Sequence, residues 1–244
     1  MSTAECCEGA LSPALSKPQP GEETTLGGVP AFVVRGSEGA RASVALVILT
    51  DIFGYQAGQA RANAARMAAA GGGKLDVLIP DICAGDACAH DFNFAGLPAW
   101  FSKHGDDETM PLVRAALRGA REAGYAKVVT VGYCWGARAS LLAGRSENVD
   151  GFAIAHPSRC AVPDFAGVAK PALFILAETD NAFSQADADA AVAGLRASGV
   201  RVVVNGPHAG TVHGFAARGD ETVPAVAAAR QSGIAAAVDF ALSV

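Results

Sequence analysis

One cysteine stands where its chemistry would matter. Residues 128–140 read VVTVGYCWGARAS, a β-branched apolar run passing through Gly132-Tyr133-Cys134-Trp135-Gly136 into helix-forming residues. Hydrolases built on parallel sheets use G-x-S-x-G to hold a nucleophile on a sharp strand-to-helix turn. Here a thiol takes that place. A helix N-terminus offers unpaired N–H groups and the positive end of a dipole, which favour a thiolate and can hold an oxyanion. Gly132 and Gly136 are the small residues so tight a turn needs, and the Trp135 N–H is an expected oxyanion donor. The rival reading is a glycine-rich turn packing a small apolar residue, and G-x-C-x-G alone does not separate the two.

The order of possible partners favours the nucleophile. On this kind of scaffold an acid follows the nucleophile and a histidine follows the acid. Asp180 comes just past the apolar run ALFILAE, and His213 sits in TVHGFAARGD, after VRVVVNG and before the last helical segment. The implied chemistry is covalent: His213 takes or shares the thiol proton, Asp180 orients His213, and Cys134 attacks a carbonyl. The alternatives are a helix-capping role for Asp180 near Ser184 and a solvated loop position for His213. His208 is a second candidate base, ranked below His213.

These residues need elements to position them. A nearly continuous apolar run at 42–50 predicts a strand buried on both faces, with further strands at 29–36, 75–81, 127–133, 149–157, 171–178 and 200–206. Helical patterns fall at 58–72, 106–124, 135–144, 184–199 and 221–242, the last possibly in two pieces, with Ser184 an expected N-cap. Gly27-Gly28 predicts a hairpin turn. Alternating strands and helices predict an α/β fold with a mostly parallel sheet covered on both faces. Ligands then bind beyond the carboxyl ends of the strands. That directs attention to Asp51, Asp81 to Cys83, Cys134, His156, Glu178 to Asp180, and His208 to His213. The segment 82–106 reads as a loop whose aromatics, Phe92 to Phe101, are either a lid or part of the core. Residues 1–22 read as an arm, and 23–244 as a single domain.

Composition narrows the field. The chain has 244 residues, 51 % hydrophobic and 18 % charged, which describes a globular domain with a full core. A net charge of −5 argues against nucleic acid and anionic membrane as partners. No run is long and apolar enough to span a bilayer, and the start of the chain has neither signal- nor transit-peptide character, so the expected location is cytoplasmic. The six cysteines are then expected as free thiols. Cys83, Cys88 and His90 suggest zinc only weakly, because a fourth ligand is lacking; no metal is expected. Cys6 and Cys7 are unassigned.

The segments TDIFG (50–54), VLIPDI (77–82), VGYCWGA (131–137), LFILAETDNAF (173–183) and HGFAARGD (213–220) together resemble the dienelactone hydrolase (carboxymethylenebutenolidase) family, α/β-hydrolases with a cysteine nucleophile. The resemblance runs from about Gly27 to the end, and the N-terminal CC and the AHPS at 155–158 look like the eukaryotic branch. It implies a triad of Cys134, Asp180 and His213, and an oxyanion hole from the backbone N–H groups of Ile52 and Trp135. It implies a small ester or lactone as substrate and no cofactor; a monomer or homodimer is the expected state. Bacterial members carry a thiol-modulating glutamate where this chain has Asp51. Of their two substrate-binding arginines, one would fall near Gly85 and the other at Ala217, beside Arg218. Arg218 and His156 are the remaining candidates for holding substrate; Arg138 is expected to pair on the surface instead. Two other classes fit the same sequence: a fold-retaining ligand-binding protein with little or no catalysis, and a thiol redox sensor.

Overall fold

A computed structural model describes residues 19–37, 41–89, 92–146 and 148–244. The sheet begins with a hairpin, β1 (Glu22–Leu26) and β2 (Val29–Val34), turned at Gly27 and Gly28 with φ of 55° and 84°. Two successive left-handed residues give the turn whose twist matches the strands it joins, and glycine takes that conformation without a Cβ clash. Then follow β3 (Val44–Leu49), β4 (Leu75–Pro80), β5 (Lys127–Tyr133), β6 (Gly151–Ala155), β7 (Ala172–Thr179) and β8 (Val202–Val212). The strand order is β1-β2-β4-β3-β5-β6-β7-β8, antiparallel at the two β2 contacts and parallel from β4 through to β8.

All six residues of β3 are buried, as its apolar run predicts for a strand covered on both faces, and so are all six of β4. The covering helices are α1 (Gly58–Ala70), α2 (Leu97–Lys103), α3 (Asp106–Glu122), α4 (Trp135–Ala143), α5 (Gln185–Ala197), the short α6 (Phe215–Arg218) and α7 (Pro224–Ser243). One core cluster joins β3, β4 and β5 to α1 and α7; a second joins the same sheet to α3 and α4. Ser184 caps α5 by accepting from the Asp187 N–H.

β1 (EETTL) is the partner strand that the expected Gly27-Gly28 hairpin requires, polar because an edge strand exposed on one side needs few apolar residues. Two elements differ from the sequence expectation. The segment 82–106 holds helix α2 and a 3-10 turn at Phe94–Gly96. β8 runs on to Val212, past Gly206-Pro207, because register shifts against β7 absorb the interruption and an edge strand tolerates a proline. The closing helix is one piece, preceded by α6. The Cys6-Cys7 pair and His90 lie outside the described residues.

Candidate active site

The elbow is built by mutual exclusion. A Cβ on Gly132 would stand 2.3 Å from the Gly136 carbonyl oxygen, and one on Gly136 would stand 2.3 Å from the oxygens of both Leu49 and Thr50. Strand β5, helix α4 and the end of β3 therefore approach through these two glycines. Cys134, between them, takes φ 52° and ψ −113°, a conformation that costs a non-glycine residue about 1–3 kcal/mol. The surroundings hold it there: Cys134 N–H donates to Ala155 O at 3.1 Å, and Ser158 N–H donates to Cys134 O at 3.0 Å.

The two expected partners converge on this thiol. Cys134 Sγ lies 3.0 Å from His213 Nε2, and His213 Nδ1 lies 2.9 and 3.0 Å from the two carboxylate oxygens of Asp180. Cys134 closes β5, Asp180 follows β7, and His213 follows β8, so three parallel strands from one half of the sheet deliver one array at their carboxyl ends. Asp180 Oδ1 also accepts from the N–H groups of Ala182 and Phe183, at 2.9 and 3.3 Å, which fixes the carboxylate. Asp180 thus fixes the turn after β7 as well as facing His213, while the helix cap itself is Ser184. Gly214, at φ 87°, turns the chain from His213 into α6.

Burial alone would discharge His213, whose side chain is 1 % exposed. That penalty is outweighed by the charge of Cys134 and by the hydrogen bonds to Asp180 and Cys134, which hold the imidazole well above the usual histidine range. The rival His208 lies inside β8, with Nε2 2.7 Å from Asn205 Oδ1.

A cavity of about 590 Å³ opens over the array, lined by Cys134, His213 and Ile52, by Leu97, Pro98 and Phe101 of the α2 segment, and by Ser158, Arg159 and Asn181. The 82–106 aromatics divide between the two expected roles. Phe101 faces the cavity, while Trp100 packs 5.0 Å from Trp135 and stacks on His104 at 4.0 Å. Ile52 sits in the turn after β3, and Trp135 opens α4, where first-turn N–H groups have no intrahelical acceptor.

Asp51, Arg218 and His156 do not line this cavity. Asp51 accepts from Phe53 N–H at 3.1 Å and pairs with Arg218 Nε at 3.2 Å, without the alignment of a hydrogen bond. The Arg218 guanidinium also stacks 4.5 Å over the Phe53 ring. A buried arginine needs a nearby anion, and Asp51 is the anion in reach. His156 is fully buried, with φ 35°, and its ring lies edge to face with those of His213 and Phe215. Arg138 pairs with both oxygens of Asp106 at 2.7 Å and with Asp164 at 3.0 Å, tying α4 to α3.

Ser158, Arg159 and Asn181 were missed by sequence reasoning. The loop after β6 was marked at His156, but the cavity is reached two residues later, because the left-handed turn at His156 redirects the chain. Arg159, also left-handed at φ 55°, lays its guanidinium 4.6 Å from the Phe101 ring. Cys83 and Cys88 are buried thiols; burial is the largest cause of their raised values, and it pushes Cys88 to about 12. Among the described residues, no cluster of three or more His, Cys, Asp or Glu could hold a metal, and no helix is long and apolar enough to cross a membrane.

A mostly parallel eight-stranded sheet with a cysteine elbow, an acid and a histidine at the carboxyl ends of β5, β7 and β8 defines an α/β-hydrolase fold with a cysteine–histidine–aspartate array. Residues 30–242 match the Dienelactone hydrolase family, and the chain belongs to it. The chain is 28 % identical over 207 residues to Hydrolase tropI of Talaromyces stipitatus, covering 80 % of this chain and 79 % of the relative. It is 29 % identical over 158 residues to an endo-1,3;1,4-beta-D-glucanase of Zea mays, covering 63 % of this chain but only 48 % of the maize protein, about half its length. Among solved structures, a Klebsiella pneumoniae protein described as a dienelactone hydrolase superposes with a TM-score of 0.71 at 18 % identity, covering 92 % of this chain and 98 % of that one. A dienelactone-hydrolase-like promiscuous phosphotriesterase from metagenomic libraries gives 0.64 at 19 % identity, covering 90 % and 96 %. At such identities these two likenesses speak to the fold alone.

Proposed function

We propose that the protein is a cysteine-dependent hydrolase of carboxylic esters or lactones. The observation that carries this reading is the continuous chain of contacts from Cys134 Sγ through His213 to Asp180, at 3.0 and 2.9 Å. In the proposed cycle the Cys134 sulfur attacks the substrate carbonyl. The π pair moves to oxygen, where the N–H groups of Ile52 and Trp135 receive the negative charge. The C–O bond breaks and His213 protonates the leaving oxygen. His213 then takes a proton from water, the hydroxide attacks the thioester, and the C–S bond breaks to release the acid. Asp180 keeps the imidazole in the orientation both steps need. No cofactor or metal enters the cycle.

The cavity supports a small substrate with an apolar body, contacted by Leu97, Pro98 and Phe101. With Arg218 committed to Asp51, and with His156 fully buried, neither is assigned a hold on the substrate; Asp51 is assigned to Arg218 and not to the thiol. We take residues 23–244 as one hydrolase domain and 1–22 as its arm, working as a monomer or homodimer without nucleic-acid or membrane partners. The four described cysteines are free thiols, which suits a cytoplasmic location. We further read the N-terminal CC and the AHPS at 155–158 as marks of the eukaryotic-type branch.

The test is hydrolysis of p-nitrophenyl acetate and of cis- and trans-dienelactone by the wild type, Cys134→Ala and His213→Ala. The expected loss in kcat is about 10³-fold or more for each variant, since members of a catalytic array act as a unit. Full turnover by Cys134→Ala would overturn the mechanism. Saturable binding with no product from any of these esters would favour a binding protein instead.

A further inference from the structure

The Cys134 sulfur has a second polar neighbour. Ser158 Oγ lies 3.6 Å from it, within hydrogen-bonding reach for sulfur, and Ser158 lines the active-site cavity. A thiolate accepts more than one hydrogen bond, and Cys134 is only 6 % exposed, so water alone does little to compensate its charge. His213 Nε2 supplies one donor. No carboxylate competes for the sulfur from the Asp51 side, because Asp51 is held by Phe53 N–H and Arg218.

The loop carrying Ser158 is held independently of its hydroxyl. The Ser158 backbone N–H donates to the Cys134 carbonyl, a bond any residue other than proline could make. On either side of Pro157-Ser158, His156 and Arg159 both adopt left-handed backbone conformations, at φ 35° and 55°. Strain at two non-glycine residues in four is typical of loops whose shape serves a site. The loop is thus bent to bring Ser158 over the elbow, while its serine side chain is not what holds the bend.

We propose that Ser158 is a catalytic residue whose hydroxyl donates a hydrogen bond to the Cys134 thiolate, sharing with His213 the stabilisation of the resting nucleophile. The inference rests on the cysteine mechanism proposed above. The hydroxyl keeps its proton throughout. When sulfur attacks, the C–S bond forms, the charge passes to the substrate oxygen, and the Ser158 hydrogen bond to sulfur weakens. The titratable and charged groups around Cys134 are His213, with Asp180 behind it, Arg159, which lines the same cavity, and the neighbouring Cys160.

The experiment compares wild type, Ser158→Ala, Ser158→Thr and Cys134→Ala. Two quantities are measured: p-nitrophenyl acetate kinetics, and the rate of Cys134 alkylation by iodoacetamide from pH 5 to 9, read peptide by peptide in a mass spectrometer. Ser158→Ala is expected to lower kcat/KM about tenfold with KM nearly unchanged, the size of one charge-assisted hydrogen bond. Half-maximal alkylation should move to higher pH, and Ser158→Thr, which keeps the hydroxyl, should restore both. A wild-type alkylation profile in Ser158→Ala would overturn the proposal. So would a loss that Thr fails to restore, since that would assign the effect to the shape of the loop. Turnover that survives Cys134→Ala would instead overturn the underlying cysteine mechanism, whatever Ser158 does.

Discussion

Two imidazoles whose centroids lie 5.0 Å apart, His156 and His213, are pulled in opposite directions. Burial, and then the charges of His213 and Arg218, push His156 well below the usual histidine range, whereas Cys134 and Asp180 overcome burial and lift His213 above it. The signs differ for stability. His213, raised on folding, contributes stability that is fully present below about pH 6.5 and lost as pH rises through its folded value. His156, lowered on folding, contributes stability present above about pH 6.5 and lost as pH falls toward its folded value. Urea unfolding of the wild type and of His156→Phe at pH 8 and pH 5 should therefore show the variant gaining relative to wild type at the lower pH. An unchanged difference would mean His156 titrates alike in both states. Of the residues with proposed roles, Cys134, Asp180 and His213 could be read in advance, because each follows an apolar run and their order along the chain is diagnostic. Ser158 and Arg159 could not. Their access to the cavity depends on the backbone angle at His156, which no spacing in the chain encodes.

At the scale of elements, the elbow depends on a close approach between β5, α4 and the end of β3 that only glycine permits. A methyl group at position 136 would meet two backbone oxygens at 2.3 Å, and neither can rotate away. Gly136→Ala should destabilise the protein by about 3 kcal/mol, and the remaining folded fraction should show weakened activity because Cys134 and the Trp135 N–H move together. Thermal unfolding and ester hydrolysis would read the two effects; a variant with wild-type Tm and activity would contradict the packing described here. The strands and helices of the centre were legible because burial on both faces leaves an unbroken apolar run. The edges were not. β1 is polar and was announced only by its Gly27-Gly28 turn, and β8 continues through a Gly-Pro pair that ordinarily stops a strand. The α2 segment hid among loop residues because it is only seven residues long.

At the scale of the whole molecule, strand β4 carries a buried charge away from the site. Asp76, fully buried in β4, accepts from Tyr125 OH at 2.8 Å, from Gly36 N–H at 3.0 Å, from Arg35 Nη1 at 3.1 Å and from Ala42 N–H at 3.3 Å. Burial and the hydrogen bond to Asp76 hold the Tyr125 phenol above its ordinary value. This cluster joins β2, the loop before β3, β4 and the turn before β5. Asp76→Ala should lose about 3 kcal/mol, because it strands buried donors as well as removing their bonds. Chemical denaturation at neutral pH is the measurement, and a loss below 1 kcal/mol would mean that water replaces the carboxylate. In the sequence Asp76 was one polar residue inside LDVLIP, with no sign of the partners that justify it.

The strand order has a consequence in time as well as in space. Cys134 and His213 are 79 positions apart along the chain, and Asp180 and His213 are 33 apart, yet their side chains touch. Contacts that close such long loops form late, after the strands between them have paired. A nascent or partly refolded chain therefore carries an ordinary thiol, and the reactive sulfur appears only when β5 through β8 have come together. The activation of Cys134 is in this sense a property of the finished sheet.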